Sequence, residues 1–104
     1  PRLEVYKRTK MGVPMQYLIA KNSLITMTKY YSKYFLKKKI NINSISPGGI
    51  YDFQDIKFIN NYRKFCATGM LEASDLIGTT DFLLSENSKK ITGQNIIIDD
   101  GFTL

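Results

Sequence analysis

Residues 17–50 read YLIAKNSLITMTKYYSKYFLKKKININSISPGGI, and the fold turns on where the pattern in this stretch changes. From Pro14 to about Lys38 nothing breaks a helix, and Pro14 suits an early helical position, where its missing N–H costs nothing. Tyr17, Ala20, Leu24, Met27, Tyr31 and Tyr34 recur at spacings of three and four, forming one apolar stripe. Leu18, Ile19, Ile25, Tyr30 and Phe35 add apolar surface on other faces. Such a helix is expected to pack on more than one side, with a sheet beneath and another helix above, from a second subunit. Ile40, Ile42 and Ile45 then mark a short strand. Pro47-Gly48-Gly49 ends it, because Pro donates nothing to a ladder and two glycines permit a sharp, closely approached backbone.

Outward from this stretch, residues 1–13 are polar and basic without a period and read as a loop. Downstream, a helix is expected from about Asp55 to Cys66. Another begins at Glu72 or Ser74, with Leu76, Ile77, Thr80, Phe82, Leu83 and Leu84 on its buried side. Residues 85–94 form a loop, and NIIID (95–99) is a second strand whose unbroken Ile run suits a parallel strand covered on both faces. Helix, strand, helix, helix, strand is part of a doubly wound α/β sheet, with residues 50–90 as the crossover that two parallel strands require. A two-stranded parallel sheet with an open edge is a poor independent structure, so residues 1–104 read as a single partial domain completed by other strands.

The totals narrow the function. No apolar run reaches the roughly 20 residues needed to cross a bilayer. The opening, PRLEV, reads as an internal cut rather than a natural beginning. Cys66 is the one cysteine, which excludes an intrachain disulfide and suits a reducing cytoplasm; it reads as a small packed residue. With no His, a Ser-His-Asp triad is excluded, the commonest metal ligand is missing, and no metal site is expected. The net charge of +6 gathers in Arg2, Lys7, Arg8 and Lys10, and again in Lys29, Lys33 and Lys37–Lys39. Lysines closing a helix complement its dipole, and no nucleic-acid motif accompanies them, so they read as a solvated helix end.

Tyr-x-x-x-Lys occurs three times, at Tyr6/Lys10, Tyr17/Lys21 and Tyr34/Lys38. Residues 17–50, with one such pair and a strand ending in Asn-x-x-x-Pro-Gly, resemble the helix-strand-turn segment of the short-chain dehydrogenases/reductases. DLIGTTDFLLSENSKKITGQNIIIDDG (75–101) is similar to the closing signature of the same family. The resemblance covers residues 14–101 and implies the C-terminal part of a Rossmann-like fold without its dinucleotide-binding half. Pro47 follows Tyr17 by thirty residues, which sets Tyr17 near the strand edge where wound sheets bind ligands. Tyr6/Lys10 precedes the helix, and Tyr34/Lys38 lies at its far end.

The resemblance therefore implies an NAD(P)-dependent oxidoreductase acting on a small carbonyl or alcohol, with Tyr17 as acid/base. A free phenol, ionising near about pH 10, is a poor proton shuttle at neutral pH. The Lys21 ammonium, one turn away, stabilises the phenolate. The family also places that Lys on the nicotinamide ribose. Pro47, Gly48, Gly49 and Ile50 correspond to the turn bordering the nicotinamide, with the Ile50 backbone at its carboxamide. The cofactor is NAD or NADP. Residues 51–69 fall in the family's variable substrate loop, where Tyr51, Phe53 and Tyr62 either line a pocket or pack as core or lid. The family implies a homo-oligomer, dimer or tetramer, through the 15–38 helix.

Several family features are missing. No glycine-rich turn opens a helix to cradle a pyrophosphate, and no Ser lies in residues 1–16 to polarise a substrate carbonyl. Asp52 stands where the family often has Thr, and Asp99-Asp100-Gly101 replaces Asp-Gly-Gly, a change read as confined to a surface turn. The lead-in TKMGVP and the ending IDDGF resemble the branch found with bacterial flagellin or surface-glycan modification, implying a sugar-derived substrate. The rival reading is a non-catalytic interaction module assembled through the doubly apolar helix.

Overall fold

The computed structural model describes residues 1–104. Helix α1 (Met15–Phe35) starts behind Pro14, whose extended backbone (φ −71°, ψ 146°) serves as N-cap, and closes through a 3-10 turn, Leu36–Lys38. Lys39 ends it in the left-handed region (φ 57°), with Lys33, Lys37 and Lys38 beside the last carbonyls. Strand β1 (Ser44–Pro47) pairs in parallel with β2 (Asn95–Ile98), Ser44 opposite Asn95 and Pro47 opposite Ile98. Between them lie α2 (Ile56–Arg63) and α3 (Ile77–Leu84). The Asp55 carboxylate caps α2 by accepting Lys57 N–H at 2.7 Å. A capping box between Glu72 and Asp75 opens the 3-10 turn Ala73–Leu76, which leads into α3.

The parallel pairing, the crossover and the α/β class agree with the sequence reading, while the boundaries and the inner faces differ. The first strand is Ser44–Pro47 rather than 40–45. Upstream of it, Asn43 is tied instead to the second strand's lead-in, accepting Gln94 N–H at 3.0 Å and donating to Ile91 C=O at 2.9 Å. Residues 1–13 are not simply a loop. The 3-10 turn Leu3–Tyr6 carries Val5, only 2% exposed, against Phe58 and Tyr62 of α2. Asn61 Nδ2 secures it by donating to the Val5 and Lys7 carbonyls at 3.2 and 3.0 Å.

The predicted apolar stripe of α1 is only partly its inner face: Tyr17 and Leu24 border a groove over the sheet, while the tightly packed positions lie to one side of the stripe. Tyr17, Leu24, Met27, Tyr31 and Tyr34 are all exposed, whereas Thr28 and Ser32 are buried. Close approach explains the offset: a Cβ on Gly93, just before β2, would lie 2.8 Å from Ser32 Oγ, so only small side chains fit along that seam. Strand β2 is likewise not covered on both faces, since Ile97 is 56% exposed, and Ile77, Phe82 and Leu84 of α3 are exposed as well.

The accessible surface is 8026 Å² for 11.9 kDa. A self-sufficient monomer of that mass exposes about 5,950 Å². One edge of β1 and one face of the sheet account for surface a finished core would bury, and the outward residues of α1, such as Met27 and Tyr34, add further exposed apolar surface. No helix is long and apolar enough to cross a membrane.

Asp100 is more than a surface-turn variant. Its carboxylate accepts the N–H and hydroxyl of Thr68 and the N–H of Gly69, while its own C=O accepts Ala67 N–H at 3.0 Å. These hydrogen bonds, led by that from Thr68 N–H, hold the Asp100 carboxyl below the usual carboxylate range. The stabilisation is therefore complete above the unfolded carboxylate range and is lost as pH falls through the lower folded value. In denaturation experiments on the full-length protein, Asp100→Asn should lie below wild type by a constant margin at neutral pH. That margin should close on acidification below about pH 4.

Candidate functional site

Tyr17 and Lys21 stand on the first turns of α1, where Tyr17 N–H and Leu18 N–H both return to Pro14 C=O at 3.1 and 3.4 Å. Tyr17 is 53% exposed, and Lys21 Nζ lies 5.5 Å from the centre of its ring. Spacing of four on a helix puts both on one side of the axis. The Tyr34/Lys38 pair is at the opposite end of α1, where the Tyr34 ring meets Phe35 edge-on at 4.9 Å.

The turn after β1 forms the facing wall. Gly48 N–H continues the ladder to Ile98 C=O at 2.8 Å. Gly49 C=O accepts Leu71 N–H and Leu71 C=O accepts Tyr51 N–H, each at 2.8 Å, so Ile50 bridges Leu71 in parallel. Ile50 C=O accepts Gln54 Nε2 at 2.8 Å, whereas Ile50 N–H takes no partner within the chain. Both glycines have ordinary backbone angles and are required for space. A Cβ on Gly48 would meet the Asp99 Cα at 2.9 Å, and one on Gly49 would meet Tyr62 Cε2 at 2.9 Å.

Tyr17, Lys21 and Pro47–Ile50 line one open groove of about 760 Å³ along the uncovered sheet face. Tyr6 and Tyr62 share it. Tyr6, assigned from sequence to a loop outside the site, packs on Phe58 at 5.4 Å and is pushed up in pKa by burial and then by Tyr17. Tyr62 is core and groove wall at once, and burial is the main cause of its raised pKa. Tyr51 lines a separate cleft of about 230 Å³ with Arg63 and Thr68, and Phe53, at 86% exposed, lines neither. Burial, then Asp100 and Asp99, raise the Cys66 thiol, which disfavours the thiolate a nucleophile needs. No group of three or more His, Cys, Asp or Glu is placed to hold a metal ion.

Tyr62 was readable in part. Phe58, Tyr62 and Phe65 form a helical stripe, which signals burial. Nothing in that spacing says that the Tyr62 hydroxyl reaches back thirteen residues to Gly49.

Comparison with known proteins fixes the lineage. A family profile described as enoyl-(acyl carrier protein) reductase matches residues 5–103. Among solved structures, a short-chain dehydrogenase from Leptospira borgpetersenii with bound NAD+ superimposes at TM-score 0.88 with 38% identity, over 97% of this chain and 41% of that one. The chain belongs to the short-chain dehydrogenase/reductase family. Within this family it is 39% identical to post-translational flagellin modification protein A of Campylobacter coli, over 100% of this chain and 41% of that protein. It is 37% identical to 7alpha-hydroxysteroid dehydrogenase of Bacteroides fragilis, over 85% of this chain and 36% of that protein. A short-chain dehydrogenase/reductase segment spanning about two fifths of its relatives accounts for the uncovered faces. The sheet and groove are those of the C-terminal part of the family's Rossmann fold.

Proposed function

We propose that the whole protein is an NAD(P)-dependent oxidoreductase that moves a hydride between nicotinamide and a carbonyl or alcohol carbon. The reading rests on one observation: Tyr17 and Lys21 share a groove with Pro47–Ile50 in a chain of this family. The nicotinamide, when bound, supplies or takes the hydride. In reduction, Tyr17 gives its phenol proton to the carbonyl oxygen as charge develops there; in oxidation it takes the hydroxyl proton. Lys21 stabilises negative charge on the Tyr17 oxygen and contacts the nicotinamide ribose. Pro47, Gly48, Gly49 and Ile50 border the nicotinamide, and Ile50 N–H, free within the chain, suits its carboxamide oxygen. The bound NAD+ of the Leptospira enzyme supports NAD as cofactor. Likeness to the flagellin modification protein agrees with the branch resemblance of TKMGVP and IDDGF, from which a sugar-derived substrate follows, and a lone Cys66 suits a cytoplasmic setting. The decisive test is loss of turnover with retained cofactor binding in Tyr17→Phe.

The exposed stripe of α1 supports homo-oligomerisation through the 15–38 helix. Sedimentation of the full-length protein should show a dimer or tetramer, and Met27→Asp with Tyr31→Asp should shift it to smaller species. Unchanged assembly in that double variant would remove α1 from the interface.

A further inference from the structure

Tyr62 is 4% exposed, and its hydroxyl accepts Gly49 N–H at 2.6 Å. Its ring lies flat on Phe102, with centres 4.1 Å apart and planes 4° apart. Phe102 is anchored in turn: Arg2 Nε donates to its carbonyl at 2.7 Å, and the Arg2 guanidinium sits 5.8 Å from its ring centre and 4.8 Å from that of Phe65. The phenol is thus clamped before it meets the turn.

The main chain of 48–50 is then held at most of its polar groups. Gly48 N–H is held by Ile98, Gly49 N–H by Tyr62, and Gly49 C=O by Leu71. Of the three N–H groups, Ile50's is left. The absence of side chains at Gly48 and Gly49 is itself matched to this phenol, since a Cβ on Gly48 would lie 2.8 Å from Tyr62 Oη. Without the hydroxyl, the half-buried Gly49 N–H loses its partner within the chain, and the turn loses the contact that sets its position.

We propose that Tyr62 is a positioning residue, acting through Gly49 to hold the Ile50 N–H where it meets the nicotinamide carboxamide. This rests on the reading of 47–50 as the nicotinamide-side turn. A phenol reaching from α2 to the turn makes cofactor affinity depend on the helix beyond it, as well as on the residues that touch the cofactor.

The experiment compares wild-type and Tyr62→Phe full-length protein in fluorescence titrations with NADH, alongside thermal unfolding and amide exchange at Gly49. With the ring and its Phe102 stack retained, Tyr62→Phe should bind NADH about tenfold more weakly. Gly49 should lose exchange protection while β2 amides keep theirs. Equal NADH affinity in a folded variant overturns the proposal and leaves the function of Tyr17 untouched. If the variant does not fold, wild type decides. A Gly49 amide that is protected, and slowed further by NADH, supports the proposal; one that exchanges like an exposed loop overturns it. Wild-type protein that binds neither NADH nor NADPH removes the functional reading itself, and this proposal with it.

Discussion

Tyr17→Phe in the full-length protein is expected to lower turnover by about 10²–10⁴-fold, the range a single positioned acid/base contributes, while NADH still binds. The substitution deletes one oxygen and keeps the ring beside Lys21, 5.5 Å from its ammonium nitrogen. Binding surface is therefore nearly conserved while the proton donor is gone, and the loss should fall on kcat more than on cofactor affinity. Tyr34→Phe, at the far end of α1, is the natural control and should turn over like wild type. Tyr6 is the informative rival, because it lines the same groove as Tyr17. Burial, its largest perturbation, keeps the Tyr6 phenol protonated, which fits it to line the groove better than to take up a proton. Full turnover in Tyr17→Phe, with loss in Tyr6→Phe, would move the acid/base role to the other phenol.

The second large effect concerns stability. Gly48→Ala places a methyl 2.9 Å from both Cα and Cβ of Asp99 and 2.8 Å from Tyr62 Oη. Asp99 directly follows β2, and Gly48 N–H is bonded to Ile98 at 2.8 Å, so neither strand can yield without breaking the ladder. Overpacking of this kind costs about 1–3 kcal/mol even where side chains give way, and here backbone must move. Against a total stability of about 5–15 kcal/mol, chemical denaturation should show a large fall in midpoint. An unchanged midpoint would mean that the turn has slack and that its glycines serve some need other than space.

The part of this structure legible in the sequence was what repeats or what stands in a fixed order. Helix α1 shows its length because nothing between Pro14 and Lys38 interrupts it, and the parallel pair was visible in two Ile-rich segments separated by a long crossover. The inner seam of α1 was not legible. Periodicity finds large apolar side chains, but the sheet approaches so closely at Gly93 that Ser32 and Thr28 take the inside and Tyr31 and Met27 the outside. Strand β1 began later than its isoleucines suggest because Asn43 bonds across to residues 91 and 94 instead of entering the ladder. That Tyr17, Lys21 and the 47–50 turn come together at one groove was readable from order and spacing. Tyr62 was legible as pocket lining or core but not as the partner of Gly49, and Tyr6 was not legible at all, because both depend on contacts between separate segments of the chain. The same reason hid Asp100, whose role appears only once the 67–69 backbone is folded against it.

The unpaired side of β1 carries a row of main-chain donors and acceptors, and the sheet face behind it is uncovered at Ile97. Such an edge will zip to any extended peptide presented to it, its own kind included. Residues 1–104 handled alone should therefore be adhesive and clump at high concentration. The same stickiness makes them a natural half for split-protein reconstitution, in which a separately expressed upstream piece restores solubility by laying its own strand along that margin.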